Sequence, residues 1–441
     1  MGTKLTFYGG CTTIGGTIIE LAHDGYRLIF DLGRAVSKKM PATQGEKLQD
    51  MICRLLDLGE LPDIEGLFCE AADQDRIAKQ TLIAISHAHL DHMALLSLLR
   101  HDIPVLVSKD TKRMLESLDE IAKGPGNSLR YLAIEDEERY IFGPFVLRFQ
   151  PVDHDIPGAS AIFIETPDGR FVYSGDLRLH GNHAQRTRAF VNAAHQFAPD
   201  LLWIEGTRAR SDDLPEVIPE QELATPMVEA VRGANSGVYF SFYPRNPERV
   251  EILKRVAGVT GRKLCLLPSS AYLYSQFGGD LTGISLFQGS TPEDADERIA
   301  WFLKMQLPVV TLEEVRNNEQ LFMIEMPFEN MSELSEIHPG EGGVYIHSNG
   351  HPLGPYDEDW SAFQEQLELH SLAYCSIGSS GHASRREILS MIEMISPHLF
   401  MPIHTQHPER FEVKHVQRVL PEVGMQYDVG DLLQKNPVKR F

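Results

Sequence analysis

Four side chains able to hold a metal ion stand within six consecutive positions of this 441-residue chain: His87, His89, Asp91 and His92 follow directly on the apolar run 81–86, TLIAIS. At the end of a buried strand, imidazoles and a carboxylate are costly to desolvate without partners, and a cation supplies the partner. On an extended segment His87 and His89 project to the same side, where they can clasp one ion. The turn into the apolar helical run 93–99, MALLSLL, then swings Asp91 and His92 towards a second ion nearby. A hard carboxylate among imidazoles suits Zn²⁺ or Mn²⁺. Six further residues belong to the same survey: Asp31 in LIFDLG, His154 in PVDHDIPGA, Asp176 in YSGDLR, Glu205 in LLWIEGT, His382 in SSGHAS and His404 in FMPIHT. Singly, His154 fits a loop histidine and Asp176 a turn residue as well as a site residue, and Glu205 and His382 fit structural residues better than catalytic ones.

Taken in order, these motifs resemble a known family. HxHxDH at a strand end is similar to the signature of the metallo-β-lactamase superfamily. Glu205, His382 and His404 resemble the three extra motifs of its β-CASP nuclease group, which includes ribonuclease J. The resemblance covers nearly the whole chain. It implies an α/β (α+β) architecture, an αββα metallo-β-lactamase sandwich with an inserted α/β β-CASP domain. It also implies that His87, His89 and His154 hold one divalent ion, that Asp91, His92 and His404 hold the other, and that Asp176 bridges them. Asp31 would support the histidine loop from behind. The reaction so implied is two-metal hydrolysis of an RNA phosphodiester by a bridging hydroxide, with Asp91 counted among the catalytic groups as well as the ligands. His382 would protonate the leaving oxygen or stabilise the phosphorane, oriented by Glu205.

Substrate contacts are expected from Ser380 and Ser384, which flank His382 on a Gly-containing loop, from Arg245, and less directly from Ser379. Two features depart from the ribonuclease J pattern. Gly378 stands where those proteins usually carry a histidine, four residues before the SGH histidine, and the chain ends soon after the catalytic motifs, at GDLLQKNPVKRF. The closest expectation is a compact ribonuclease J-like protein without the separate C-terminal domain.

The elements that must position these residues follow from patterning. Short β-rich runs at 4–8, 17–21, 27–31, 82–86, 105–107, 145–152, 161–166 and 171–174 alternate with turn signals, which predicts a sheet-rich unit with few long helices. A helix-like stretch at 45–58 reads as peripheral. From about 215 to 374 apolar strands alternate with helical runs, as in GVYFSF, PERVEILKRVAG and KLCLLP, the pattern of βαβ units in a parallel sheet. The ligand motifs then return. We therefore expect residues 1–207 and 375–441 to form one split catalytic domain and residues 208–374 an insertion. The acidic run 313–341 is expected to be a solvated face.

Composition bounds the function. A net charge of −21 disfavours nonspecific nucleic-acid binding by the whole surface, so phosphate contacts must be local. One local source is 237–263, where Arg245, Arg249, Lys254, Arg255, Arg262 and Lys263 outnumber Glu248 and Glu251, with Phe242 and Tyr243 offering base stacking. Five scattered cysteines without CxxC spacing argue against disulfides and zinc ribbons and for the cytoplasm. No signal peptide or membrane-spanning run of about 18 apolar residues is expected. The favoured partner is single-stranded RNA, with DNA as the rival substrate, and related proteins often form homodimers. A small-molecule hydrolase on the same fold would leave the insert and the SSGHAS loop unexplained, and a metal-stabilised binding module would not need the complete ligand set.

Overall fold

A computed structural model describes residues 2–435 apart from 36–46, 70–73, 127, 210–216, 291–298, 300–302, 305 and 356. Residues 45–46, expected to open the first helix, and 215–216, at the expected start of the βαβ segment, lie outside the described set.

Alternation dictates the first two layers. In the strand Phe145–Pro151, Phe145, Leu147 and Phe149 are fully buried while Val146 and Arg148 are only partly so, the period-2 signature of a strand with one core face. In sequence order the strands are β1 Lys4–Gly9, β2 Ile18–His23, β3 Tyr26–Phe30, β4 Thr81–Ala84, β5 Pro104–Ser108, β6 Arg130–Ile134, β7 Arg139–Phe142, β8 Phe145–Pro151, β9 Ser160–Thr166, β10 Gly169–Tyr173 and β11 Leu201–Glu205. Later come β19 Leu399–Ile403, β20 Gln417–Arg418 and β21 Gln426–Asp428. They form two seven-stranded sheets, ordered β21-β1-β2-β3-β4-β5-β6 and β20-β19-β11-β10-β9-β8-β7. Leu5, Phe7, Leu21 and Phe30 of the first meet Phe149, Ile162, Trp203 and Met401 of the second in one core. The outer faces are covered by helices: Met51, Leu55, Met114 and Leu118 pack in one cluster with Ile83 and Val105, and Phe190, Ile388 and Met391 with Phe163, Val172 and Leu202. The layers are α, β, β, α.

The third sheet is wholly parallel. Its strands β12 Val238–Phe242, β13 Lys263–Leu266, β14 Ile284–Gln288, β15 Val309–Thr311, β16 Phe322–Glu325, β17 Val344–Ser348 and β18 Ala373–Ser376 are ordered β15-β14-β13-β16-β12-β17-β18. Val250, Leu253 and Val256 of the helix Glu248–Thr260 cover one face, and Phe363 and Leu367 of the helix Trp360–Leu369 the other. Burial on both faces explains why these strands read as continuous apolar runs. β18 carries this sheet to Ser376.

Two expectations fail locally. The 45–58 stretch is less peripheral than its polar composition suggests, since Leu48–Asp57 buries Met51, Ile52 and Leu55. The acidic run 313–341 is not a solvated face throughout: Glu325 and Glu333 are 1% and 0% exposed. Glu325 accepts from Leu267 N and Ser270 Oγ, and Glu333 from Ser290 N and Oγ, so partners distant in sequence offset their desolvation.

A buried ionic relay joins the third sheet to the other two. Glu220 accepts from Arg249 Nε at 2.6 Å, from Arg249 Nη2 at 3.1 Å and from Arg178 Nη1 at 3.1 Å. Arg249 also donates to the Ser348 carbonyl at 3.0 Å, and Arg178 to Asp153 Oδ1 at 3.3 Å and to the Ser380 carbonyl at 3.2 Å. Removing one partner of such a pair leaves buried charge uncompensated at a cost of about 3–5 kcal/mol. Glu220→Gln is therefore expected to lower the unfolding free energy by that amount, read from a denaturant titration; a loss below about 1 kcal/mol would show that the relay does not hold the two units together.

Candidate metal centre

The histidine loop is built on the interior strand β4, which pairs in parallel with β3 and β5. Beyond it the chain is caught by Asp31, which leaves β3 in the left-handed region at φ 56°. The Asp31 carboxylate accepts from Ser86 N at 2.7 Å, Ser86 Oγ at 2.8 Å and Tyr173 Oη at 2.5 Å, and faces His92 Nδ1 at 2.7 Å. Four partners on one buried carboxylate set the loop's exit and the ring plane of His92. Gly33 is obligatory here, because a Cβ would sit 1.6 Å from the Asp91 carbonyl. The backbone is pinned to the same turn by Leu32 N donating to His92 O at 2.8 Å and Gly16 N to Asp91 O at 3.0 Å.

Two clusters result. In the first are His87, His89 and His154, and in the second Asp91, His92, Asp176 and His404, the ligand atoms of each lying within 4.8 Å of one another. Within them His154 Nε2 lies 3.1 Å from His89 Nδ1, His92 Nε2 3.1 Å from His404 Nε2, and His404 Nε2 3.0 Å from Asp91 Oδ2. Asp176 stands between the clusters. Its Oδ2 is 3.0 Å from His92 Nε2, 3.6 Å from His87 Nε2, 3.7 Å from His404 Nε2 and 3.9 Å from His154 Nε2. It reaches this point from the end of β10 through Gly175, at φ 54°.

These residues fit divalent ions on two grounds. His87 Nε2 and Asp176 Oδ1 are buried with no hydrogen-bond partner. Burial, reinforced by neighbouring imidazoles, also holds His87 well below the ordinary imidazole range and His89 at about 3, so both are neutral lone-pair donors. In the second cluster burial works against a charged His92, yet Asp176, Asp91 and Asp31 together raise it well above the usual range. Carboxylates that draw a proton so strongly will draw a cation.

A third group adjoins the second. Glu205, the last residue of β11, is buried; its Oε1 accepts from Leu177 N at 3.0 Å and its Oε2 from Thr207 N at 3.1 Å. Oε1 also faces His382 Nδ1 at 3.0 Å. Burial alone would lower the His382 imidazole, but Glu205 and then Asp176 push it up to about 9. His404 follows β19, which runs beside β11 with Ile403 opposite Glu205, so adjacent strand ends deliver both residues.

The residues expected to meet substrate are partly committed elsewhere. Arg245 is 7% exposed and donates to the Ala88 carbonyl inside the histidine loop, so it braces that loop. Ser384 caps the helix Arg385–Ile395 in a capping box with Glu387. Ser380 Oγ accepts from His382 N at 3.1 Å, shaping the loop, while Ser379 Oγ is buried without a partner. The basic segment is not one face either: Arg249 is buried on Glu220, Arg262 donates to the carbonyls of Ser236 and Ala234, and Phe242 is in the core. Tyr243 keeps a place at the site, its ring edge-on to His89 at 5.0 Å. Ser384→Ala should thus cost about 0.5–2 kcal/mol of stability, as a lost N-cap does, and leave turnover per folded molecule nearly unchanged; a loss of turnover at full stability would return Ser384 to the substrate.

Sequence reasoning missed Tyr173, Thr207 and Asp155. Thr207 Oγ1 holds His404 Nδ1 at 2.8 Å. Each lies one to three residues from a residue that was singled out, and that proximity was the only signal. A pocket of about 260 Å³ is lined by His154 and Asp155 together with Arg113, Arg186, Asn246 and Glu248.

Comparison with known proteins agrees with this geometry. The metallo-beta-lactamase superfamily matches residues 17–218, and the Zn-dependent metallo-hydrolase RNA specificity domain matches 376–410, the segment holding His382 and His404. The chain has the metallo-β-lactamase fold. Within it the likeness is to ribonuclease J: the protein of that name from Mycolicibacterium smegmatis is 23% identical over 423 residues, covering 91% of this chain and 69% of that one. The ribonuclease J of Pyrococcus abyssi is 23% identical over 428 residues, covering 91% and 89%. With that of Corynebacterium glutamicum the match is 24% identical and covers 60% of this chain but only 34% of the relative's length. Among solved structures, a protein of unknown function from Enterococcus faecalis V583 aligns with a TM-score of 0.76 at 26% identity, covering 97% of this chain and 100% of that one. Among the described residues no helix is long and apolar enough to cross a membrane.

Proposed function

We propose that this protein of metallo-β-lactamase fold is a metal-dependent nuclease that hydrolyses phosphodiester bonds of single-stranded RNA. One observation carries the reading: the His382–Glu205 pair, 3.0 Å apart, abuts Asp176, the carboxylate that lies between the two ligand clusters. A hydrolase with a good leaving group has no need of a proton donor there; a ribose alkoxide does. The names of the relatives and of the matched RNA specificity domain point to the same substrate.

In this reading His87, His89 and His154 would hold one divalent ion and Asp91, His92 and His404 the other, with Asp176 placed between the two sets. All the donors are nitrogen or carboxylate oxygen, which suits Zn²⁺ and accommodates Mn²⁺. Such ions, when bound, polarise the phosphoryl oxygens and make water a nucleophile near neutral pH. The protein's own contribution is positional. Asp31, Tyr173 and Ser86 hold the histidine loop, and Thr207 holds His404. Protonated His382, fixed through Nδ1 by Glu205, passes a proton from Nε2 to the departing ribose oxygen and recovers one from solvent.

We read residues 208–374 as a domain inserted into the catalytic unit 1–207 and 375–441, with the return point a little later, at the end of β18. Support comes from the separate parallel sheet, from Arg245 reaching the Ala88 carbonyl and from the pocket lined by both units. All five cysteines are unpaired, which supports a reducing compartment, the cytoplasm.

The test is incubation of the metal-loaded protein with single-stranded RNA and DNA of one sequence, labelled at either the 5′ or the 3′ end. RNA is expected to be shortened, and the pattern of labelled products gives the polarity. Equal cleavage of DNA would remove the RNA assignment, and cleavage of neither would remove the nuclease reading.

A further inference from the structure

Four of the five cluster imidazoles follow one rule. His87 Nδ1 faces Ser86 Oγ at 3.0 Å, His92 Nδ1 faces Asp31 Oδ2 at 2.7 Å, His154 Nδ1 faces the Gly381 carbonyl at 2.5 Å and His404 Nδ1 faces Thr207 Oγ1 at 2.8 Å. In each the outer nitrogen has a fixed partner and Nε2 is left for the cluster. Such partners set the tautomer and the ring plane of a ligating imidazole.

His89 is reversed. Its Nδ1 is the atom that faces His154 Nε2, at 3.1 Å, and its Nε2 is buried without a hydrogen-bond partner. Across from that nitrogen, at 3.7 Å, lies Asp155 Oδ1, itself buried and without a hydrogen-bond partner. The same oxygen is 3.4 Å from His154 Nε2, so its charge also bears on the first cluster. Room for it depends on Gly381, where a Cβ would come within 2.5 Å of Asp155 Oδ1. Two orphaned complementary atoms facing each other, beside four imidazoles that all have outer partners, define a missing pair.

We propose that Asp155 is the positioning residue of His89: its carboxylate accepts the Nε2–H, fixes the tautomer that presents the Nδ1 lone pair to the first cluster, and adds negative charge beside the ion held there. The inference rests on the two-ion reading above and assigns to Asp155 a role that neither its sequence motif nor the ligand set requires.

The experiment is zinc binding by chelator-stripped protein, measured by competition with a chromophoric chelator, for the wild type, Asp155→Ala and Asp155→Asn. Losing an outer partner of a ligating histidine typically weakens metal binding about 10–100-fold. Asp155→Ala should show that loss for one ion and leave the other at wild-type affinity. Asp155→Asn, nearly isosteric and still able to accept through its amide oxygen, should lose less. In proton NMR spectra of the zinc-loaded proteins, a slowly exchanging imidazole N–H assigned to His89 should be present in the wild type and Asp155→Asn and absent from Asp155→Ala. Wild-type affinity for both ions in Asp155→Ala, an equal loss in both variants, or absence of that N–H from the wild type would each overturn the assignment. A wild type that binds no zinc would take the two-ion reading down with it, whereas a wild type with two ions and an indifferent Asp155→Ala sinks this inference alone.

Discussion

Replacing His382 by alanine is expected to slow cleavage of single-stranded RNA by ~10²–10⁴-fold while both metal ions stay bound, the range a general acid ordinarily contributes. The expectation comes from where the imidazole sits. Its Nδ1 is engaged by Glu205 at 3.0 Å and lies 3.9 Å from Asp176, while the seven residues of the two principal clusters do not include it. Burial disfavours its charged form, but the neighbouring carboxylates more than offset this and push it up to about 9, so it carries its proton near neutral pH. Such a loss corresponds to about 3–5 kcal/mol of transition-state stabilisation, at 1.36 kcal/mol per tenfold. Glu205→Gln should act in the same direction and less strongly, since the amide can still orient the ring but no longer favours its charge. Single-turnover rates with metal analysis on the same samples decide the matter. If His382→Ala loses an ion, His382 is a ligand; if it cuts RNA at the wild-type rate, no proton donor is needed and the nuclease reading loses its chemical support.

The second large effect belongs to Asp176. Its Oδ2 lies between 3.0 and 3.9 Å from imidazole nitrogens of both clusters, a position no other carboxylate in either cluster shares. Asp176→Ala should therefore weaken both ions, and each by more than the ~10–100-fold that an outer partner costs. Asp31→Ala provides the comparison, because Asp31 touches His92 and Ser86 but belongs to neither cluster. Elemental analysis of dialysed protein should find Asp176→Ala depleted of both metals and Asp31→Ala only partly depleted. Retention of one ion at wild-type affinity in Asp176→Ala would show that the carboxylate serves a single site.

The two candidate clusters were legible because metal chemistry leaves compact motifs at strand ends. His87 to His92 announce themselves within six positions, Glu205 ends a strand, and Asp176 and His404 follow strands. The parallel third sheet was legible too, since strands buried on both faces stay apolar throughout. Helices with narrow apolar stripes were not. Lys109–Glu120 buries only Met114 and Leu115 with Leu118 among its large apolar residues, and Ala184–Phe197 carries much of its inner face on Phe190, Val191 and Ala194. Their existence depends on the sheets they cover. What failed most was the reading of charge. Arg245, Arg249, Glu325 and Glu333 look like surface residues, and each is buried because a partner far along the chain, Ala88, Glu220, Ser270 or Ser290, meets it in the fold. Pairings of that kind have no local pattern. Asp155 was hidden for the same reason: beside His154 it reads as a turn residue, and only the reversed ring of His89 gives it a task.

Whether the two ligand clusters act as one centre for RNA hydrolysis is tested most directly by a titration of chelator-stripped protein with Zn²⁺ or Mn²⁺ in which bound ions per chain and cleavage of end-labelled single-stranded RNA are read from the same samples. Cleavage is expected to be absent without metal and to rise to its plateau as occupancy approaches two ions per chain. Full cleavage by metal-free protein, or saturation of the chain with two ions and no cleavage of RNA, would show that the clusters do not.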